Sequence, residues 1–288
     1  MFILITGLLL GGTYALIALG LNLQYGVARI MNLANGELLV AGGFAAFWLY
    51  TAGQVSPVAA LLVIAPVAFA ANWLVYRIML VPLVKRAKSR GALEVESILA
   101  TFGMSFAFVG VMSWLFGGGY FNYAFLATPV DIFGSSYAQN RVVAFSLAVV
   151  IGGALWLWLS FTRAGLNLRA VSVNPRSAPL VGIDVRAASA LAFALGGAVT
   201  ATGGALVSMF FTLDASVGVL FTMKALIIVI MGGVGDIRGT IVAALILGIT
   251  ETAVARLIDP GLTLAAAYFL FLLILLFRPQ GLFGRAQG

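Results

Sequence analysis

Apolar runs separated by short polar breaks fill the chain, at about residues 3 to 25, 37 to 52, 57 to 76, 97 to 116, 142 to 160, 187 to 210, 218 to 235, 240 to 257 and 262 to 277. A helix needs about 20 apolar residues to cross a bilayer. The pattern therefore predicts an all-α polytopic integral membrane bundle with about nine transmembrane helices, eight to ten being allowed, in one domain over residues 1–288. Two places set that range. The run from 37 to 52 is short, and MGGVGDIRGT at 231 to 240 reads either as a tight cytoplasmic turn or as a break between half-helices inside the protein. The first run lacks a basic leader and is expected to stay as a span. No fixed-period repeat is evident.

Composition narrows the picture. Charged residues make up 9% of the 288 and mean hydropathy is +1.12, against roughly 25% charged in a soluble domain. So little polar surface cannot keep a folded globule in water, and the length leaves no room for a soluble catalytic domain. With no cysteine and no histidine, disulfides, thiol nucleophiles and the usual zinc or haem ligands are excluded.

The net charge of +7 reads as loop bias rather than a nucleic-acid footprint. Eleven of the 16 basic residues fall in three segments: Arg77, Lys85, Arg86, Lys88 and Arg90; Arg163, Arg169, Arg176 and Arg186; and Arg278 and Arg285. Cytoplasmic loops carry the excess of Lys and Arg. Counting spans back from an inside C-terminus places all three segments in the cytoplasm, GGGYFNYAFLATPVDIFGSSYAQN outside, Arg29 inside and the N-terminus outside. Loop charge and span parity agree.

The window Thr162 to Arg186 is too polar to span. Asn174-Pro175 marks a helix start, since proline at the first helical position loses no hydrogen bond. PRSAPLVG then supplies a short turn and a half ended by Gly182. A short helix flanked by arginines on the cytoplasmic face suits a groove in another protein; an ordinary positive-inside loop is the alternative reading.

The residues here carry a resemblance. Thr162-Arg-Ala-Gly165, Arg169-Ala170, Asn174, Ala178 and Gly182-Ile183 resemble the cytoplasmic coupling loop of bacterial ABC importer permeases serving branched-chain amino acids. RIMNLANGELLVAGGF (Arg29 to Phe44), GGVGDIRGTIVAALILG (Gly232 to Gly248) and FRPQGLFGR (Phe277 to Arg285) resemble further segments of that family, in its order along the whole chain. Asn35 departs from it, standing where the family more often carries histidine before Gly-Glu, which cautions against transferring substrate identity. The resemblance implies coupling to an ATPase through Arg163, Gly165, Arg169, Ala170, Asn174, Ala178 and Gly182. It also implies a second permease subunit, usually a different chain, two cytoplasmic ATP-binding subunits and a periplasmic solute-binding protein, in a bacterial inner membrane. No G-x-x-x-x-G-K-[ST] loop occurs; this chain is expected to bind no cofactor and to be no enzyme, with ATP used by the partner subunits.

Ionisable groups at membrane depth are functional candidates, because burying charge in hydrocarbon costs about 2.5 to 3.5 kcal/mol on insertion scales. Glu251, in LILGITETAVARL, is the deepest carboxylate; it faces the pathway, pairs with a basic neighbour or holds helices together. Lys224 and Asp214 lie near the inferred outer boundary, where snorkelling accounts for them. Asn22, Gln24, Asn32, Asn35 and Glu37 concentrate polarity at the first cytoplasmic crossing. Asn35-Gly36-Glu37 reads as a turn and cap with the carboxylate at a helix N-terminus, and Asn22, Asn32, Asn35, Glu37 and Glu251 are the candidates for a substrate path or gate. The 34 glycines suit close helix packing in lipid.

These features support an ABC importer permease for branched-chain or related amino acids. A permease of the same family for urea, short amides or another small polar solute is the near alternative. An ion-coupled secondary transporter or channel is the alternative of a different class, and would call for more paired intramembrane carboxylates or broken helices.

Overall fold

The computed structural model describes residues 1–87, 90–132 and 134–284; Lys88 and Arg285 of the basic segments lie outside them. The chain is a helical membrane bundle. Among the described residues seven helices are long and apolar enough to cross a bilayer, and the multi-pass reading of the sequence holds. In chain order the helices, shorter ones included, begin with α1 (Phe2–Ala28), α2 (Asn35–Thr51), α3 (Pro57–Val75) running through a π-helical turn (Tyr76–Leu80) into α4 (Val81–Arg86), and α5 (Arg90–Phe116). A hairpin of β1 (Pro129–Ile132) and β2 (Ser135–Ala138) follows, then α6 (Gln139–Phe161), α7 (Arg163–Val173), α8 (Val185–Val207), α9 (Gly218–Gly232), α10 (Ile237–Leu257) and α11 (Thr263–Phe277).

At the centre α1 and α8 lie antiparallel, and both owe their position to small residues. A Cβ at Gly20 would lie 2.5 Å from the carbonyl oxygen of Gly196, and one at Gly11 would lie 2.8 Å from that of Ala244 on α10. Lipid gives apolar helices no hydrophobic reason to associate, so this close backbone approach supplies the packing energy instead. Asn72 of α3 fills the space that Gly197 leaves open.

Helices α2 and α9 are short, at 17 and 15 residues. At about 1.5 Å per residue the second covers only about 22 Å of a roughly 30 Å hydrocarbon core. Both start from buried irregular backbone. Ile30, Asn32 and Ala34 precede α2; Met209, Leu213 and Ala215 precede α9. Non-helical backbone survives at such a place only when protein satisfies its polar groups. Leu33 N donates to Thr101 Oγ1 at 3.1 Å, Ala34 N to Asn32 Oδ1 at 3.0 Å, and Leu213 exchanges backbone bonds with Phe121 at 2.8 and 2.9 Å. The 37 to 52 run is thus a helix that begins inside the protein.

The stretch at 231 to 240 is a tight turn. Gly233 and Gly235 take φ of 107° and 83°, which L side chains rarely adopt, and Asp236 caps α10 by accepting from Gly239 N at 2.7 Å. The final segment docks on it: Leu282 N donates to Met231 O at 2.8 Å and Phe283 N to Gly232 O at 3.1 Å.

The three basic segments share the end of the bundle where α1 finishes. Tyr76 and Leu80 pack on Ala28 and Ile30, Arg29 donates to Ser172 O on α7 at 3.2 Å, and the tail lies on the 233–236 turn. The β-hairpin and the start of α1 meet at the other end, where Phe2 stacks on Tyr137. There the Tyr123 hydroxyl lies 2.8 Å from Ser208 Oγ. Burial pushes the Tyr123 phenol up to about 12, so it stays a neutral hydrogen-bonding group.

Candidate functional site

A cavity of about 330 Å³ opens among α1, α8, α9 and α10 in the half of the bundle where α1 begins. Its wall is mostly apolar, with Leu9, Leu10, Val207, Phe210 and Phe221; its buried polar floor is Tyr14, Lys224 and Glu251, and the exposed Arg141 of α6 and Thr6, Thr13, Thr252 and Thr263 also line it. These three come from α1, α9 and α10 and close a triangle. Lys224 Nζ donates to Glu251 Oε2 at 2.8 Å and to the Tyr14 hydroxyl oxygen at 2.7 Å, and the Tyr14 hydroxyl donates to the same Oε2 at 2.9 Å. Lys224 Nζ also sits 4.8 Å from the Tyr14 ring centre. All three residues are buried. Glu251 Oε1 is buried and has no hydrogen-bond partner.

Neutralising both charges by contact is what makes their burial tolerable; removing either leaves the other uncompensated. Lys224 is therefore not a snorkelling residue. Its ammonium turns inward to Glu251 because α10 places a carboxylate within reach, and only tertiary structure makes that pair. The sequence did hold a signal: two opposite charges in successive apolar runs, each rare at membrane depth. Tyr14 had no such signal. Asp214 lies in the link before α9 and accepts from Ser216 N at 2.7 Å.

Of the five path candidates, Glu251 alone lines this cavity. Asn22 tethers the 233–236 turn, donating to Thr240 Oγ1 at 2.9 Å and accepting from Gly235 N at 2.7 Å. Asn32 donates to Gln24 Oε1 at 2.9 Å. Asn35 accepts from Thr200 Oγ1 at 2.9 Å, and Glu37 Oε1 accepts from Ser105 Oγ at 2.9 Å. Glu37 is in the first turn of α2, where the helix dipole favours a carboxylate. The cap expected of Asn35 is absent: Asn35 is itself the first helical residue, and its side chain turns to α8 instead.

At the opposite end the Thr162–Arg186 segment is more ordered than its composition suggests. Its main helix is α7, which starts twelve residues before the expected Asn174-Pro175 boundary: Thr162 Oγ1 accepts from Gly165 N at 3.0 Å as the cap. Gly165, Leu168 and Val171 recur at helical spacing and bury one face. Asn174 closes this helix and organises the next turn, accepting from Arg176 N and Ser177 N at 3.0 and 3.2 Å. A 3₁₀ turn over Ala178–Val181 follows and ends at Gly182 with φ of 78°. Arg163, Arg169, Ala170 and Asn174 are exposed, whereas Gly165 and Ala178 are buried. Leu180 and Val181, 86% and 74% exposed, project from the turn.

A polytopic bundle with a buried charged cavity at one end and an ordered basic elbow at the other belongs to the class of membrane transport proteins. Residues 3–278 match the family described as branched-chain amino acid transport system, permease component, and the chain belongs to that family. It is 27% identical to the high-affinity branched-chain amino acid transport system permease protein LivH of Escherichia coli K12, over 98% of this chain and 94% of that protein. It is 28% identical to the corresponding permease protein BraD of Pseudomonas aeruginosa, over 99% and 95%. Among solved structures, PsaBC from Streptococcus pneumoniae in complex with Fab aligns with a TM-score of 0.51 at 12% identity, covering 98% of this chain and 94% of that one; that likeness concerns the fold alone.

Proposed function

We propose that this chain is the permease subunit of an ATP-binding-cassette importer that carries branched-chain or closely related amino acids across the inner membrane. Two cytoplasmic ATPase subunits drive it, a second permease subunit completes the pathway, and a periplasmic solute-binding protein delivers the solute to the end that holds the cavity. The C-terminus and the basic segments face the cytoplasm, as the Lys and Arg bias requires.

The observation that carries this reading is the elbow formed by α7 and the turn after it. Its inner face is fixed to the bundle through Gly165, Leu168 and Val171. Its outer face offers Leu180 and Val181 between arginines. A lever must be rigid toward the helices that it moves and exposed toward the motor that pushes it. Arg169 is tied back to the end of α6, donating to Ser160 O at 2.9 Å, so force on the elbow reaches that helix directly.

The test is uptake by the assembled transporter. Arg169→Glu, Leu180→Asp or deletion of residues 174 to 181 should leave membrane insertion intact, let the partner ATPases hydrolyse ATP, and abolish coupled uptake. Wild-type uptake in these variants would remove the coupling assignment. Because the chain contains no cysteine, Arg176→Cys reports orientation: labelling by an impermeant maleimide from outside intact cells would reverse the topology.

A further inference from the structure

The geometry points to the Tyr14–Lys224–Glu251 floor of the cavity as a transit site for zwitterions, with the solute's α-ammonium on Glu251 and its α-carboxylate on Lys224. This assignment rests on the amino acid importer reading and adds to it where, and by which groups, the solute is held inside the membrane.

The argument starts from what the cavity leaves unmatched. One carboxylate and one ammonium sit 2.8 Å apart. Glu251 Oε1 has no partner, although Glu251 is 3% exposed. Lys224 uses two of its three N–H donors, on Glu251 and Tyr14. The site thus holds one free acceptor on an anion beside one free donor on a cation. A solute bearing ammonium and carboxylate on a single carbon satisfies both. An organic cation or anion alone would leave Lys224 or Glu251 opposed by nothing on the floor, and a neutral amide hydrogen-bonds to both but brings no charge to replace their contact. The apolar wall suits an aliphatic side chain, and about 330 Å³ lies at the small end of the roughly 300–1,000 Å³ of ligand pockets.

The empty site is self-neutralised by the Lys224–Glu251 contact. An entering zwitterion replaces that contact with two new ones of the same kind, so the buried charge stays balanced with and without solute. Because the three floor residues come from three helices, loading the site changes the bond that ties α9 to α10 and α1. Solute occupancy is thereby coupled to helix position.

The experiment uses the full transporter, with both permease subunits, its ATPases and its binding protein, in proteoliposomes. Leucine uptake is measured in Glu251→Gln, in Lys224→Met and in the double variant. Each single variant is expected to lose uptake by about tenfold or more, although a lone buried charge also threatens folding. The double variant removes both charges and should assemble, yet remain unable to carry leucine. If the pair merely holds helices together, the double variant restores wild-type uptake, and the assignment fails.

A second readout avoids those residues. A maleimide should alkylate Ala255→Cys, at the cavity wall, and leucine should slow that reaction. Neither 4-methylpentanoate nor 3-methylbutylamine, which each keep one charge of leucine, should do so. Equal slowing by all three, or by none, overturns the site. Normal leucine uptake in the double variant sinks the site alone and leaves the importer reading standing; a wild-type transporter that carries no aliphatic zwitterion sinks both.

Discussion

Helices α8 and α11 invert the relation between hydrophobicity and burial that holds in water. The sequence of α11, TLAAAYFLFLLILLF, is mostly large apolar residues, and of its 15 residues only Ala267 and Ile274 are buried. In α8, VRAASALAFALGGAVTATGGALV, glycine, alanine, serine and threonine dominate, yet the stretch from Gly196 to Val207 is buried throughout. In a bilayer the solvent is itself apolar, so Leu and Phe gain nothing by leaving it. Small residues gain van der Waals contact by letting backbones approach. Size, more than hydrophobicity, sorts this chain into inside and outside.

The contrast can be broken most forcefully at Gly204, where a Cβ would collide with the backbone carbonyl of Leu39 on α2. Gly204→Val should destabilise the bundle by about 3 kcal/mol or more, since backbone rather than a side-chain tip must yield; loss of the monodisperse peak after detergent extraction would register it. Next comes the buried ion pair. Glu251→Gln alone should cost about 3 kcal/mol, while pairing it with Lys224→Met should bring stability back to within about 1 kcal/mol of wild type, as read by thermal unfolding in detergent.

A smaller effect is expected at Thr200. Thr200→Val keeps the shape of the side chain but leaves Asn35 without its bond, at a cost of about 1 kcal/mol. The other arm of the comparison is Leu272 on α11, 64% exposed, where Leu272→Ala should change the stability of the isolated chain by no more than about 0.5 kcal/mol. Were Leu272→Ala as damaging as Gly204→Val, the sorting by size would be wrong.

The same distinction explains which parts of the site could be read in advance. The nine apolar runs correspond to helices that the structure contains, because a spanning helix is specified locally by length and composition. Glu251 stood out as a carboxylate in an apolar run. Lys224 stood out likewise as a cation in the neighbouring run, but its pairing did not, and nothing marked Tyr14: the two lie 27 and 237 residues away from Glu251. Nor did the helix over Arg163–Val173 stand out, since its buried face has only Gly165, Leu168 and Val171 to mark it. The proline after Asn174 drew the boundary to the wrong side.

What the sequence determined by itself is therefore everything that depends on the local balance of apolar and charged residues: membrane residence, the number of the apolar runs, the common end of the basic segments, and the absence of thiol and imidazole side chains. Tertiary structure alone decided which helices are central, that α2 and α9 start inside the protein, and that one lysine and one carboxylate share a cavity floor. Those outcomes turn on close approach between segments far apart in the chain. Such approach is governed by the fit of small residues against backbone, which no local property of either segment records.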